Sequence, residues 1–108
     1  MQMIEELLTM AEIRHAETCF LQDPGEPHAV WHDAITADGS DFGNEVYRHR
    51  YTVELCEPYA AQSPEAHAAL RQVLDDNGIP WTKGIRMFYT DLQYFVTKYD
   101  FEYTERRG

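Results

Sequence analysis

The stretch Asp91-Leu-Gln-Tyr-Phe-Val-Thr-Lys-Tyr-Asp-Phe-Glu-Tyr-Thr-Glu105 decides the fold. From Phe95 to Tyr103 every second residue (Phe95, Thr97, Tyr99, Phe101, Tyr103) is aromatic or β-branched. From Lys98 on, the positions between them are charged: Lys98, Asp100 and Glu102. Successive side chains of a strand point to opposite faces, so the pattern predicts a long strand with one buried and one wet face. Phe95, Tyr99, Phe101 and Tyr103 are expected to bury against helices. Glu45 to Glu57 repeats the pattern, with Tyr47, His49, Tyr51, Val53 and Leu55 alternating with Arg48, Arg50, Thr52, Glu54 and Cys56. Pro58 ends that strand because it has no amide hydrogen to give to a ladder.

The other elements follow outward from these two strands. Met3 to Ile13 carries apolar residues at 3, 4, 7, 8 and 11, the stripe of an amphipathic helix, with Glu5 and Glu6 at the end that favours acids. Ala16 to Leu21 reads as a short strand, and Gln22-Asp-Pro-Gly-Glu-Pro27 as a turn. His28 to Thr36 reads as a strand with Ala29, Trp31, Asp33 and Ile35 on one face, although its alanines leave a helix open as well, and Ala37 to Asn44 reads as a loop. Ser63-Pro64-Glu65 is a helix start, with a capping hydroxyl, proline in the first turn and an acid beside it. Ala66, Ala69, Leu70, Val73 and Leu74 form that helix's stripe, and Asn77-Gly78 with Pro80 ends it. Trp81 to Tyr89 and Gln93 to Tyr103 then read as two strands joined by a turn at Thr90-Asp91-Leu92.

The order is α-β-β-β-α-β-β. The expected architecture is α+β, with two helices packed on one face of a mainly antiparallel, five-stranded mixed sheet, in one domain over residues 1–108. Strand 45–57, helix 63–77 and strand 81–89 suit a crossover that leaves the two strands parallel. The shorter connections favour antiparallel hairpins.

Composition narrows the function. With 108 residues, 44% apolar side chains, two Trp, seven Tyr and five Phe, the chain has the material for one core. Nineteen acids against nine bases give a net charge of −10, which opposes contact with phosphate backbones, so sequence-specific nucleic-acid binding is not expected. Cys19 and Cys56 are too few for a disulfide framework. The acidic, amphipathic opening does not resemble a secretion signal, and the apolar runs fall short of the ~20 residues of a membrane helix. A cytosolic, reduced, soluble domain is expected, with no membrane contact.

Residue patterns for catalysis or cofactors are weak. His15/Cys19 and His28/His32 are each four apart, and four such ligands would suit tetrahedral zinc. On a strand, however, His28 and His32 stand ~13 Å apart at ~3.3 Å per residue, too far to chelate one ion. Ser40 lacks the Gly-x-Ser-x-Gly context of an activated nucleophile, Ser63 is a helix cap, and Cys56 reads as a packed residue. The loop around Gly39 and Gly43 is acidic and would repel phosphate. No catalytic, cofactor or metal residues are assigned, and no enzyme is expected. Binding is better represented: the two long strands leave at least one edge open for another chain, and Phe42 is an aromatic in an acidic, Gly-flanked loop.

The segment Tyr51-Thr-Val-Glu-Leu-Cys-Glu57 resembles the "Y-x-V-E-L-Y" strand of the small tail completion, or tail terminator, proteins of long-tailed bacteriophages. As in that family, it follows an Asp/Asn-containing loop and precedes a helix with spaced Glu, Ala and Leu. Gly78-Ile-Pro-Trp-Thr-Lys83 is similar to the family's "G-I-x-aromatic-x-K" join, and Tyr94 to Phe101 with Glu102 to its closing strand. Glu6-Leu-Leu8 fits the opening helix. Cys56 stands where the family has an aromatic, and Leu92 where it often has an acid.

The resemblance implies a virion structural protein of the tail or neck, assembled in the host cytoplasm into a ring, commonly of six. Such a ring caps the head-proximal end of the tail tube and offers a surface to the head-tail connector. The implied partners are therefore copies of the chain itself, the tail tube protein and the connector protein. The expected contact residues are Asp38, Asp41, Phe42 and Asn44 in the loop and Lys98, Asp100 and Glu102 on the wet strand face. Two rivals remain open on the residues alone. One is a small acidic, DNA-mimicking inhibitor of a nucleic-acid-binding enzyme; the other is a ferredoxin-like enzyme or ligand-binding dimer with a pocket lined by the aromatic strand face.

Overall fold

The computed structural model describes residues 3–17, 25–39 and 45–107. Its elements in chain order are α1 (Met3–Met10), β1 (Arg14–Glu17), β2 (His28–Gly39), β3 (Glu45–Pro58), a 3₁₀ turn (Tyr59–Ala61), α2 (Pro64–Asp76), β4 (Trp81–Lys83), β5 (Met87–Tyr89) and β6 (Tyr94–Arg107). The fold is α+β, with two helices and one six-stranded mixed sheet. The strand order is β1-β2-β3-β6-β4, and β5 lies beside β4 along the same edge of β6.

β3 and β6 form the centre. They pair antiparallel in one unbroken register from Glu45 opposite Arg107 to Pro58 opposite Tyr94. Because the register is unbroken, alternate residues stay on one face along the whole ladder. Ala29, Trp31, Tyr51, Val53, Leu55, Tyr99 and Phe101 accordingly share a single core with Ile4, Leu7 and Leu8 of α1 and Leu70 and Leu74 of α2. Trp31 and Phe101 each pack edge-on or tilted against Tyr51. Each of these large side chains gains roughly 1.5–3 kcal/mol from leaving water, which makes this layer the main source of stability. Both helices cover the same face, as the alternation of the two long strands requires.

α2 is specified locally. The Ser63 hydroxyl accepts the Ala66 N–H at 3.2 Å, and Pro64 opens the helix. Gly78 takes φ +67°, and the Ile79 N–H returns to the Leu74 carbonyl at 2.9 Å, closing the helix end. β3 and β4 both run antiparallel to β6, so the β3–α2–β4 unit leaves its strands parallel with β6 between them.

Four expectations need correction. The sheet has six strands, because Trp81–Tyr89 divides. Lys83 stands opposite Tyr99 and Met87 opposite Val96, so three residues (84–86) face two (97 and 98). This is a bulge, and one extra residue shifts the alternation: Trp81 and Lys83 face the helix side, but after the bulge it is Phe88 that does. Second, the first strand begins at Arg14, and its described part, Arg14–Glu17, pairs parallel with β2 where a hairpin was expected; residues 18–21 of the expected strand lie outside the described residues. The ten residues between them are long enough to carry the chain back along a four-residue strand.

Third, Ala37–Gly39 belong to β2 and not to a loop, because the backbone of Glu45–Tyr47 is there to pair with them. Fourth, Phe95 is not packed under the helices. It lies beyond them, against Phe88 and Tyr59.

The faces of β6 generate a direct contrast. Phe101→Ala removes a ring from the centre of the core and is expected to cost about 3–5 kcal/mol. Glu102→Lys, on the open face, should change stability by no more than about 0.5 kcal/mol. Urea denaturation of the two variants checks this; equal effects would mean the faces are misassigned.

Candidate functional site

The expected contact residues are scattered. The backbone of Asp38 pairs with Val46 in β2, and Asp41, Phe42 and Asn44 lie outside the described residues. Lys98 and Glu102 are exposed on the sheet face away from the helices, as their alternation implies. Asp100 is half-buried there and accepts a hydrogen bond from the Thr52 hydroxyl at 2.7 Å. Asp100 and Glu102 line a groove of about 450 Å³ with Arg50 and Trp81, so two of the named residues do share a surface.

Histidine is used differently from the zinc pattern. His28 is buried against the ring of Tyr94, whereas His32 is exposed beside Glu54. Among the described residues no group of three or more His, Cys, Asp and Glu is placed to hold a metal. Cys19 lies outside those residues, and Cys56 is buried, its thiol pointed at the Glu54 carbonyl at 3.6 Å.

The densest polar chemistry lies where β3 ends and α2 begins. Glu57 continues the Tyr51, Val53, Leu55 alternation, which turns a carboxylate into the helix side with 1% of the residue exposed. Its Oε1 meets His67 Nε2 at 2.6 Å, and its Oε2 accepts the Ser63 backbone N–H at 2.7 Å. His67 Nδ1 in turn meets the Tyr99 hydroxyl at 2.7 Å. A carboxylate only accepts, so Nε2 carries a proton and donates it, while Nδ1 and the Tyr99 hydroxyl share a second hydrogen bond. The result is a buried chain, Tyr99–His67–Glu57, tying β6, α2 and β3 together.

Burial by itself would raise the pKa of Glu57. The hydrogen bonds from His67 and the Ser63 N–H, with the charges of His67 and Arg86, outweigh it and hold the carboxyl below its ordinary value. Burial raises the Tyr99 phenol, with Arg71 pulling it back and Glu57 adding to the rise. Arg86 reaches over this group. Its guanidinium donates to Gln62 Oε1 at 2.9 Å, approaches Glu57 Oε1 at 3.4 Å, and lies 3.9 Å above the Phe95 ring. That triple hold fixes a long cation at the bulge.

Beside Arg86 lies an apolar edge. Among the described residues β5 pairs with β6 alone, and its Met87, Phe88 and Tyr89 are all exposed. Ile85 before it is 80% exposed and Leu92 after it 67%. Tyr59 extends the surface through its ring contacts with Phe88 and Phe95. Such a strand, apolar on both faces and uncharged at its edge, is a pairing surface.

Comparison with known proteins adds no relative. No family model matches the chain, and no curated protein is similar to it.

Sequence reading missed the Glu57–His67–Tyr99 chain and the β5 edge, although signals for both were present. An acid at the fourth odd position of a buried strand face is out of place, and His67 sits three and seven residues before Leu70 and Leu74, on the helix stripe.

Because the folded pKa of Glu57 is lowered from 4.5, its contribution is full above that value and is lost as pH falls through the folded pKa. Glu57→Gln should cost about 1–3 kcal/mol at neutral pH and flatten the fall in stability below about pH 4.5. Urea midpoints of both proteins across the acid range measure this; parallel curves would refute it.

Proposed function

We propose that this chain is a virion structural protein of a long-tailed bacteriophage, a tail-terminator-like subunit that works by self-assembly and docking. The phage assignment rests on the sequence resemblance of Tyr51–Glu57, Gly78–Lys83 and Tyr94–Glu102. The observation that carries the assembly half is the exposed apolar edge strand Met87-Phe88-Tyr89 with Ile85 and Leu92 beside it. A contiguous apolar edge of this kind is costly in water and is relieved by a second chain.

A ring needs two different surfaces on each subunit that meet head to tail and close by rotation. The β5 edge supplies one. For the other, among the described residues β2 from His32 onward and β6 from Glu102 onward have a paired strand on one side only. In this reading copies close into a ring, commonly of six, that caps the tail tube and presents a face to the connector. Lys98, Asp100 and Glu102 lie on the sheet face open to those partners.

Size-exclusion chromatography with light scattering over a wide concentration range, with negative-stain microscopy and co-sedimentation with tail tubes, tests the proposal. A ring with a central hole, or retention on tubes, is expected. Phe88→Asp and Leu92→Asp should lower self-association at least about tenfold while leaving the fold intact. A monomer that binds no tube, or assembly indifferent to both substitutions, would overturn it. A monomer that instead captures a DNA-binding enzyme would favour the inhibitor reading.

A further inference from the structure

A cavity of about 260 Å³ opens where α2 begins and the β4–β5 segment passes, lined by Gln62, Arg71, Lys83 and Arg86 around Glu57 and His67. Three of the chain's nine Lys and Arg therefore meet in one concavity on a molecule of net charge −10. Among the described residues Glu57 is the one acid in the lining, and its oxygens are already committed to His67, the Ser63 N–H and Arg86. It offsets one cation. The side chains of Arg71 and Lys83 make no hydrogen bond or ion pair with any described residue. On a chain with so many carboxylates, two cationic side chains left without an acid in one concavity mark it as a place for an anion.

We propose that this cavity binds a dianionic phosphate group, as the free ion or as the monoester of a small molecule. The charge count favours phosphate: the site has two uncompensated positive charges, a phosphate monoester carries about −1.5 to −2 near neutral pH, and a carboxylate carries only −1. Geometry agrees. A guanidinium is a planar fork of donors suited to phosphate oxygens, and Arg86 is already held in place by Gln62, Glu57 and Phe95, with donors to spare. His67 has both ring nitrogens engaged, so its part is to anchor Glu57 and not to touch the ligand. A long polyanion is disfavoured by the charge of the rest of the chain, which leaves a small ligand or a terminal phosphate.

The test is an NMR titration of the full chain at about pH 7.5, above the second phosphate pKa of about 6, at constant ionic strength set with sodium chloride. Inorganic phosphate, adenosine monophosphate and acetate are compared, following the side-chain N–H signals of Arg71 and Arg86. Saturable shifts with phosphate are expected, with acetate weaker by about tenfold and binding weakened about tenfold in Arg71→Gln and in Lys83→Gln. Neither side chain bonds to the rest of the fold, so both variants should keep the parent amide spectrum. Tighter binding of the nucleotide assigns the site to a monoester and weaker binding to the free ion; either supports the proposal. Linear shifts without saturation, acetate as good as phosphate, or undiminished binding in both variants would overturn it. The site lies within one chain, so the outcome stands whether or not the chain forms rings.

Discussion

The pairing of β3 with β6 is the constraint on which the rest depends. Both strands run 14 residues, and their register does not slip between Glu45/Arg107 and Pro58/Tyr94. A continuous register keeps odd-numbered residues of both strands on one face, so the aromatic and aliphatic rows form one apolar sheet surface. α1 and α2 have a single place to bury their stripes. The same continuity carries Glu57 inward, since position 57 is odd like 51, 53 and 55. The fold answers this with His67, Ser63 and Arg86, because an unpaired carboxylate at that depth would be strongly destabilising. Core and polar cluster therefore have one cause.

Much of the fold was legible because it rests on periodicity. Tyr99 and Phe101 on β6, Tyr51, Val53 and Leu55 on β3, and the Ser63 cap of α2 are each announced by local pattern. What was not legible depends on pairing between distant segments. That Ala37–Gly39 are strand comes from the partner they meet, and that β1 is parallel comes from the length of the connection. The division of Trp81–Tyr89 is a register event, visible only when β6 is laid alongside. Of the site, the wet positions Lys98 and Glu102 followed from alternation. The convergence of Arg71, Lys83 and Arg86 did not, because they come from a helix, a strand and a bulge with no spacing in common.

The distribution of charge is as informative as its sum. Nineteen acids against nine bases suggest a molecule that repels anions everywhere, yet Arg71, Lys83 and Arg86 gather in one concavity beside the apolar β5 edge. A potential set by nearby fixed charges outweighs the mean charge at distances shorter than a Debye length of about 8–10 Å. The surface at this end of the sheet is thus both the most apolar and the most cationic of the features described.

The bulge at 84–86 makes chain length at that point a determinant of identity. Upstream of it Trp81 is turned to the core; downstream, Phe88 is turned to the Tyr59–Phe95 cluster, while Met87 and Tyr89 go to the other face. Removing one residue there would leave every side chain chemically unchanged and yet exchange the two faces of the strand that follows. A one-codon deletion would then act as an inversion of surface: Phe88 would leave its aromatic neighbours, and Met87 and Tyr89 would be driven toward them. Substitutions across this segment alter what is presented, whereas its residue count fixes the direction in which it is presented.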